Sequence, residues 1–128
     1  MDYSKYIGIP FADNGRTIDG YDCWGLVKAL YLEFHGVSLP DFVYDEATED
    51  TVALFFIDEL NIKQAWENVE PQEGSIAVFQ IAGLVRHAGF MISPTEFIHT
   101  IDGTQTVIES IKGLRWAGRF KGCYKWQL

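Results

Sequence analysis

Gly20-Tyr21-Asp22-Cys23-Trp24-Gly25-Leu26-Val27 carries a glycine-punctuated loop into an apolar run with helical spacing. Trp24, Val27, Tyr31 and Phe34 recur near every 3.6 residues, with Leu26 and Leu30 beside them, which predicts a helix over 23–35. Asp22 stands where a side-chain acceptor caps the first turn, and Gly36 where a left-handed residue ends the last. Cys23 therefore opens the helix. Unpaired backbone N–H groups and the positive end of the helix dipole surround such a thiol. Its pKa is expected to fall, making the sulfur a nucleophile at neutral pH. His35, in the last turn, is read as a surface histidine.

Upstream, Gly8, Pro10, Asn14-Gly15 and Asp19-Gly20 interrupt residues 1–22, so one regular element cannot run through them. Tyr6, Ile7, Ile9 and Phe11 are expected to anchor this segment to the core. Downstream, Gly36 to Asp41 turns the chain. A second helix is predicted over 46–61, with Val52, Phe55, Phe56 and Leu60 as its apolar stripe. The period then shortens. Strands are predicted over 65–69, 75–79, 85–92, 96–101 and 105–111, with one or two more between Leu114 and Trp126. Turns are marked by Pro71 to Gly74, Ser93-Pro94-Thr95 and Asp102-Gly103. N-terminal helices followed by strands give an α+β fold, helices packed on an antiparallel sheet of about five or six strands. A length of 128 residues fits one domain, 1–128.

Charge excludes some functions. A net charge of −8 argues against nucleic acid as a partner, because phosphate binding needs a basic surface. Residues 41–73 hold ten acids against one base, Lys63, and the acids of the helix predicted over 46–61 are read as its solvated face. From Ser110 onward the bases Lys112, Arg115, Arg119, Lys121 and Lys125 meet no acid; they are read as outward side chains of a strand. No apolar run approaches the ~20 residues that span a bilayer, so membrane insertion is not expected. Met1-Asp2-Tyr3-Ser4-Lys5 lacks the charged-then-apolar signal pattern, which predicts synthesis in the cytoplasm without a signal peptide. Of the two cysteines, Cys123 is read as a buried apolar thiol. No cofactor is implied.

The chemistry lies in how two histidines relate to Cys23. His87 sits in Val85-Arg86-His87-Ala88-Gly89-Phe90 and His99 in Glu96-Phe97-Ile98-His99-Thr100. A hairpin centred on Ser93 sets His87 opposite His99 on one sheet face, with Cβ atoms ~5 Å apart. Gly89, next but one on that face, leaves room for a neighbouring side chain. A slip of one residue separates the two histidines. A cysteine at a helix start with paired histidines fits nucleophile, general base and orienter. Two other readings exist. Zinc binding would need a close-spaced ligand pair and a fourth ligand, and neither is evident, so no metal is predicted. Alternatively, the histidines are satisfied polar residues of an ordinary sheet.

The sequence resembles the NlpC-type cell-wall cysteine peptidases, which have a papain-like fold. The likeness rests on Gly8-Ile9-Pro10-Phe11, Asn14-Gly15, Gly20 to Val27, Gly36-Val37-Ser38-Leu39-Pro40, Pro71 to Phe79, Arg86-His87-Ala88-Gly89-Phe90 and His99. It implies Cys23 as nucleophile, His87 as base and His99 as orienter. It also implies hydrolysis of amide bonds in peptidoglycan stem peptides, between D-γ-glutamyl and a diamino acid. Asp22, Trp24 and Phe11 fall where the resemblance implies substrate contacts, Asp22 doubling as helix cap. The chain departs from the family pattern in having Phe11 for a tyrosine, Trp24 for a serine and Gly74-Ser75 for Gly-Asp. Small members with Cys-Trp-Gly-Leu-Val look most like phage tail-assembly or tail-tip peptidases. That implies a virion location and tail or hub proteins as partners. The alternative is a structural tail or hub protein that uses the same fold as a binding module.

Overall fold

A computed structural model describes residues 1–41 and 66–126. The helix predicted over 46–61 lies outside the described residues. The elements in chain order are a 3₁₀ turn at Ser4–Tyr6, β1 (Arg16–Thr17), β2 (Gly20–Tyr21), α1 (Cys23–His35), β3 (Trp66–Val69), β4 (Ile76–Ile81), β5 (Leu84–Met91), β6 (Glu96–His99), β7 (Val107–Ser110) and β8 (Phe120–Trp126). All pairings in the main sheet are antiparallel, in the order β3-β8-β4-β5-β6-β7. The expected α+β fold with six strands is what forms. The stretch after Leu114 gives one strand, β8, preceded by a loop over 111–119.

The limits of α1 match those read from the sequence, for the physical reasons given. Asp22 accepts the Gly25 N–H at the first turn, and Gly36, at φ 72°, closes the last with its N–H on Leu32 C=O. His35 departs from the expectation. It is half-buried, and its Nε2–H donates to the Gly74 carbonyl at 2.7 Å, tying the end of α1 to the turn before β4. Its ring lies 4.2 Å from that of Tyr31. The opening segment also differs in detail. Tyr6 is buried, but Ile7 is exposed, and β1 and β2 form a small hairpin where a loop was expected.

Alternation along the strands divides the core in two. Ile76, Val78, Ala88, Phe90 and Ile98 face α1, packing with Trp24, Leu26, Val27, Leu30 and Tyr31. Ala77, Phe79, Met91, Phe97 and Cys123 face the other way and are covered by Ile111 and Trp116 from the β7–β8 loop. The sheet is thus sandwiched between a helix and a loop. β4 and β5 are joined by Ala82-Gly83, both at positive φ and between the paired Ile81 and Leu84. This is the two-residue turn that matches strand twist. The register of β4 shifts against β5 just after Phe79 and against β8 just before it. Phe79 is the partner of His87, so the sheet is locally re-aimed beside that residue.

Candidate active site

Cys23 is placed by α1, and α1 is held by the loop before it. Asp22 is 2% exposed. Its Oδ1 accepts from Gly25 N–H and from Arg16 Nη1, each at 2.7 Å, while Arg16 Nε donates to Asp41 at 2.9 Å. Gly25 is required for this approach, since a Cβ there would lie 2.0 Å from the Gly15 carbonyl oxygen. Asp22 is therefore built into the helix start as cap and ion-pair partner. Trp24 is 5% exposed, with its indole N–H on Pro40 C=O and its ring against Trp66. This corrects the expectation of a substrate contact there, because the helical phase turns Trp24 into the core. Phe11 is half-buried; its N–H donates to Thr104 C=O and it bridges to Tyr21.

The two histidines meet, by a different register from the one assumed. β5 and β6 pair at Phe90↔Ile98 and Met91↔Phe97, so the hairpin centres on Pro94 rather than Ser93. His87 and His99 are consequently diagonal neighbours. A shift of two positions preserves the face, and imidazoles reach across a diagonal. His87 Nε2 and His99 Nδ1 are hydrogen-bonded at 2.8 Å. Gly89 makes the room: a Cβ there would meet the Phe97 ring at 2.7 Å and His99 Cβ at 3.2 Å. Both histidines are buried, at 4% and 1% exposure. Trp116 stacks on His87 at 5.4 Å and meets His99 edge-on at 4.9 Å.

Glu109 was not picked out from the sequence. It lies on β7 opposite Phe97 and therefore on the His99 face. Its Oε2 accepts from His99 Nε2 at 2.6 Å and from Trp116 Nε1 at 2.9 Å. A sequence signal existed: centring the β6–β7 hairpin on Gly103 of the recognised Asp102-Gly103 turn sets Glu109 opposite Phe97. Around His99, Glu109 and Arg115 runs a groove of about 740 Å³, lined also by Pro10, Thr104 and Gln105. Cys23 and His87 do not line it.

The helix start does not lower the Cys23 thiol pKa as expected. Burial, then the Asp22 charge, push it up to about 12. The backbone N–H groups of Ala88 and Trp24 and the Arg16 cation pull the other way without prevailing. The Ala88 N–H that favours the thiolate belongs to β5, the strand that carries His87. Burial, then His99 and Arg115, hold His87 well below the ordinary imidazole range. Burial also lowers His99, and the hydrogen bond and charge of Glu109 only partly offset it. Burial raises the Glu109 carboxyl, but hydrogen bonds from Trp116 and His99 outweigh it and leave the group below the usual carboxylate range. At neutral pH the resting site is a thiol, two neutral imidazoles and one carboxylate. Such a set can accept a proton from sulfur as the sulfur attacks. Among the described residues, no group of three or more His, Cys, Asp or Glu is placed to hold a metal ion, and no helix is long and apolar enough to cross a membrane.

The profile of the NlpC/P60 family matches residues 8–125. Over 118 residues the chain is 24% identical to the murein DD-endopeptidase MepS/murein LD-carboxypeptidase of Escherichia coli K12, covering 92% of this chain and 56% of that protein. Over 99 residues it is 25% identical to the tail tip assembly protein K of Escherichia phage N15, covering 74% of this chain and 41% of that one. The chain thus spans about half the length of these curated relatives. Its fold matches the NlpC/p60 domain of the peptidoglycan hydrolase SagA with a TM-score of 0.63 at 17% identity, over 95% of this chain and 91% of that one.

Proposed function

The chain belongs to the NlpC/P60 family, and from that premise we propose that it is a cysteine endopeptidase cleaving amide bonds in peptidoglycan stem peptides. The observation that carries this reading is the His87–His99 hydrogen bond, made from the strand whose Ala88 N–H favours the Cys23 thiolate. In the proposed reaction His87 takes the thiol proton as Cys23 Sγ bonds to the scissile carbonyl carbon. Backbone N–H groups at the start of α1 stabilise the oxyanion. The C–N bond breaks as His87 returns the proton to the leaving amine. Water, deprotonated by His87, then splits the thioester, releasing the acid and restoring the thiol. The bond proposed is D-γ-glutamyl to diamino acid, and the substrate class draws support from the murein endopeptidase relative. The phage relative supports a place in a virion tail, with tail proteins as partners.

The test is digestion of purified muropeptides, with products identified by mass spectrometry. Wild type is expected to release the two halves of the stem peptide, and Cys23→Ser to release neither while keeping the wild-type melting temperature. Equal cleavage by both proteins would overturn the proposal. No cleavage by wild type, with Cys23 inert to thiol reagents, would favour the structural tail protein.

A further inference from the structure

We propose that Glu109 is a positioning residue of this site: its carboxylate fixes which nitrogen of each histidine carries the proton and leaves His87 Nδ1 bare to act as the base nitrogen. The inference rests on the Cys23–His87 reading above and adds a fourth member to it. It follows from counting donors. An ionised carboxylate only accepts, so the 2.6 Å contact requires the proton on His99 Nε2. A neutral imidazole has one N–H, so His99 Nδ1 is bare and accepts. The 2.8 Å contact then requires the proton on His87 Nε2, which leaves His87 Nδ1 as the free base nitrogen. Without the carboxylate, His99 can equally carry its proton on Nδ1 and donate to His87 Nε2. His87 would then hold its own proton on Nδ1, the nitrogen needed for the thiol.

Glu109 is itself fixed by the Trp116 N–H on the same oxygen, and Trp116 is 2% exposed. It also supplies what a neutral orienter lacks. When His87 becomes an imidazolium, the chain His87–His99–Glu109 ends on a negative charge, which stabilises the new cation. Arg115 opposes it: its cation disfavours protonation of both histidines. Arg115 lies over the Trp116 ring at 5.0 Å, on the outer side of the relay.

The experiment needs no substrate. The rate of Cys23 alkylation by iodoacetamide is measured from pH 5 to 9 for wild type, Glu109→Gln, Glu109→Leu, Glu109→Asp and His87→Ala. Histidine nitrogen NMR shifts report the tautomers in the same proteins. Glu109→Gln keeps the shape and an acceptor but removes the charge, and should slow alkylation at pH 7 roughly tenfold. Glu109→Leu removes the acceptor as well, mixes the tautomers, and should slow it roughly a hundredfold; the two values bracket a charged hydrogen bond. Glu109→Asp keeps a carboxylate and should recover most of the rate. Wild-type rates and shifts in both the Gln and Leu variants would overturn the role of Glu109. A wild-type rate in His87→Ala would instead overturn the Cys23–His87 reading beneath it.

Discussion

Asp22 and Glu109 are built alike and act differently. Each gathers two hydrogen bonds onto a single carboxylate oxygen: Asp22 from Gly25 N–H and Arg16, Glu109 from His99 and Trp116. Asp22 faces a guanidinium, charged at any working pH. Its negative charge is cancelled once, on folding, and the pair holds the start of α1 in place. Glu109 faces an imidazole that is neutral at rest. Its charge is left to respond when a proton arrives at the histidines. A carboxylate matched to a permanent cation makes structure. One matched to a titratable ring can also take part in chemistry.

The comparison breaks most strongly at Asp22. Asp22→Ala removes a cap and strips Arg16 of a buried partner, and should cost about 2–4 kcal/mol of stability. Denaturant unfolding measures this, and a loss under about 1 kcal/mol would mean that the loop holds α1 without the pair. The next effect is in pH. His87 and His99 are both depressed in the fold. Above pH ~6.5 they are neutral folded or unfolded and cost nothing. As pH falls below that value, the unfolded chain takes up protons the folded site refuses. Stability should then drop by up to about 1.4 kcal/mol per unit for each histidine until the folded values are reached. Cys23 has the opposite sign: its raised thiol favours the fold below pH ~8.5, and that contribution fades as pH climbs toward about 12. Melting temperatures from pH 4 to 8 check the acid limb, and His99→Gln should flatten it. The smallest effect sharpens the contrast. Glu109→Gln should change stability by less than about 1 kcal/mol, because the part-exposed site keeps its shape and an acceptor. A loss as large as that of Asp22→Ala would make Glu109 a structural residue.

Much of the site was legible because it is written locally. Asp22, Cys23 and Gly36 fix the limits of α1 through backbone rules that need no tertiary information. The histidine pair was found from turn position and strand period. The centre was misplaced by one residue, Ser93 for Pro94, but that moves the register by two and leaves the face unchanged. What could not be read is what depends on distant packing. The sign of the Cys23 shift turns on burial against β5, outside the local helix rules. The fate of Trp24 turns on Trp66 and Pro40. Trp116 is 17 residues beyond His99 with no regular element of its own, so its stacking on the histidines left no periodic trace.

The place of β8 in the sheet has a consequence in time. β4, β5, β6 and β7 are sequential neighbours and pair across short turns, so they can form early in folding. β8 is the last strand in the sequence, yet it enters between β3 and β4. The 111–119 loop that delivers Trp116 is tethered to it. Trp116, which stacks on His87 and meets His99 edge-on, is thus held over the histidines by the strand that closes the sheet. The closing strand therefore both completes the sheet and helps shield the His87–His99–Glu109 hydrogen bonds from water.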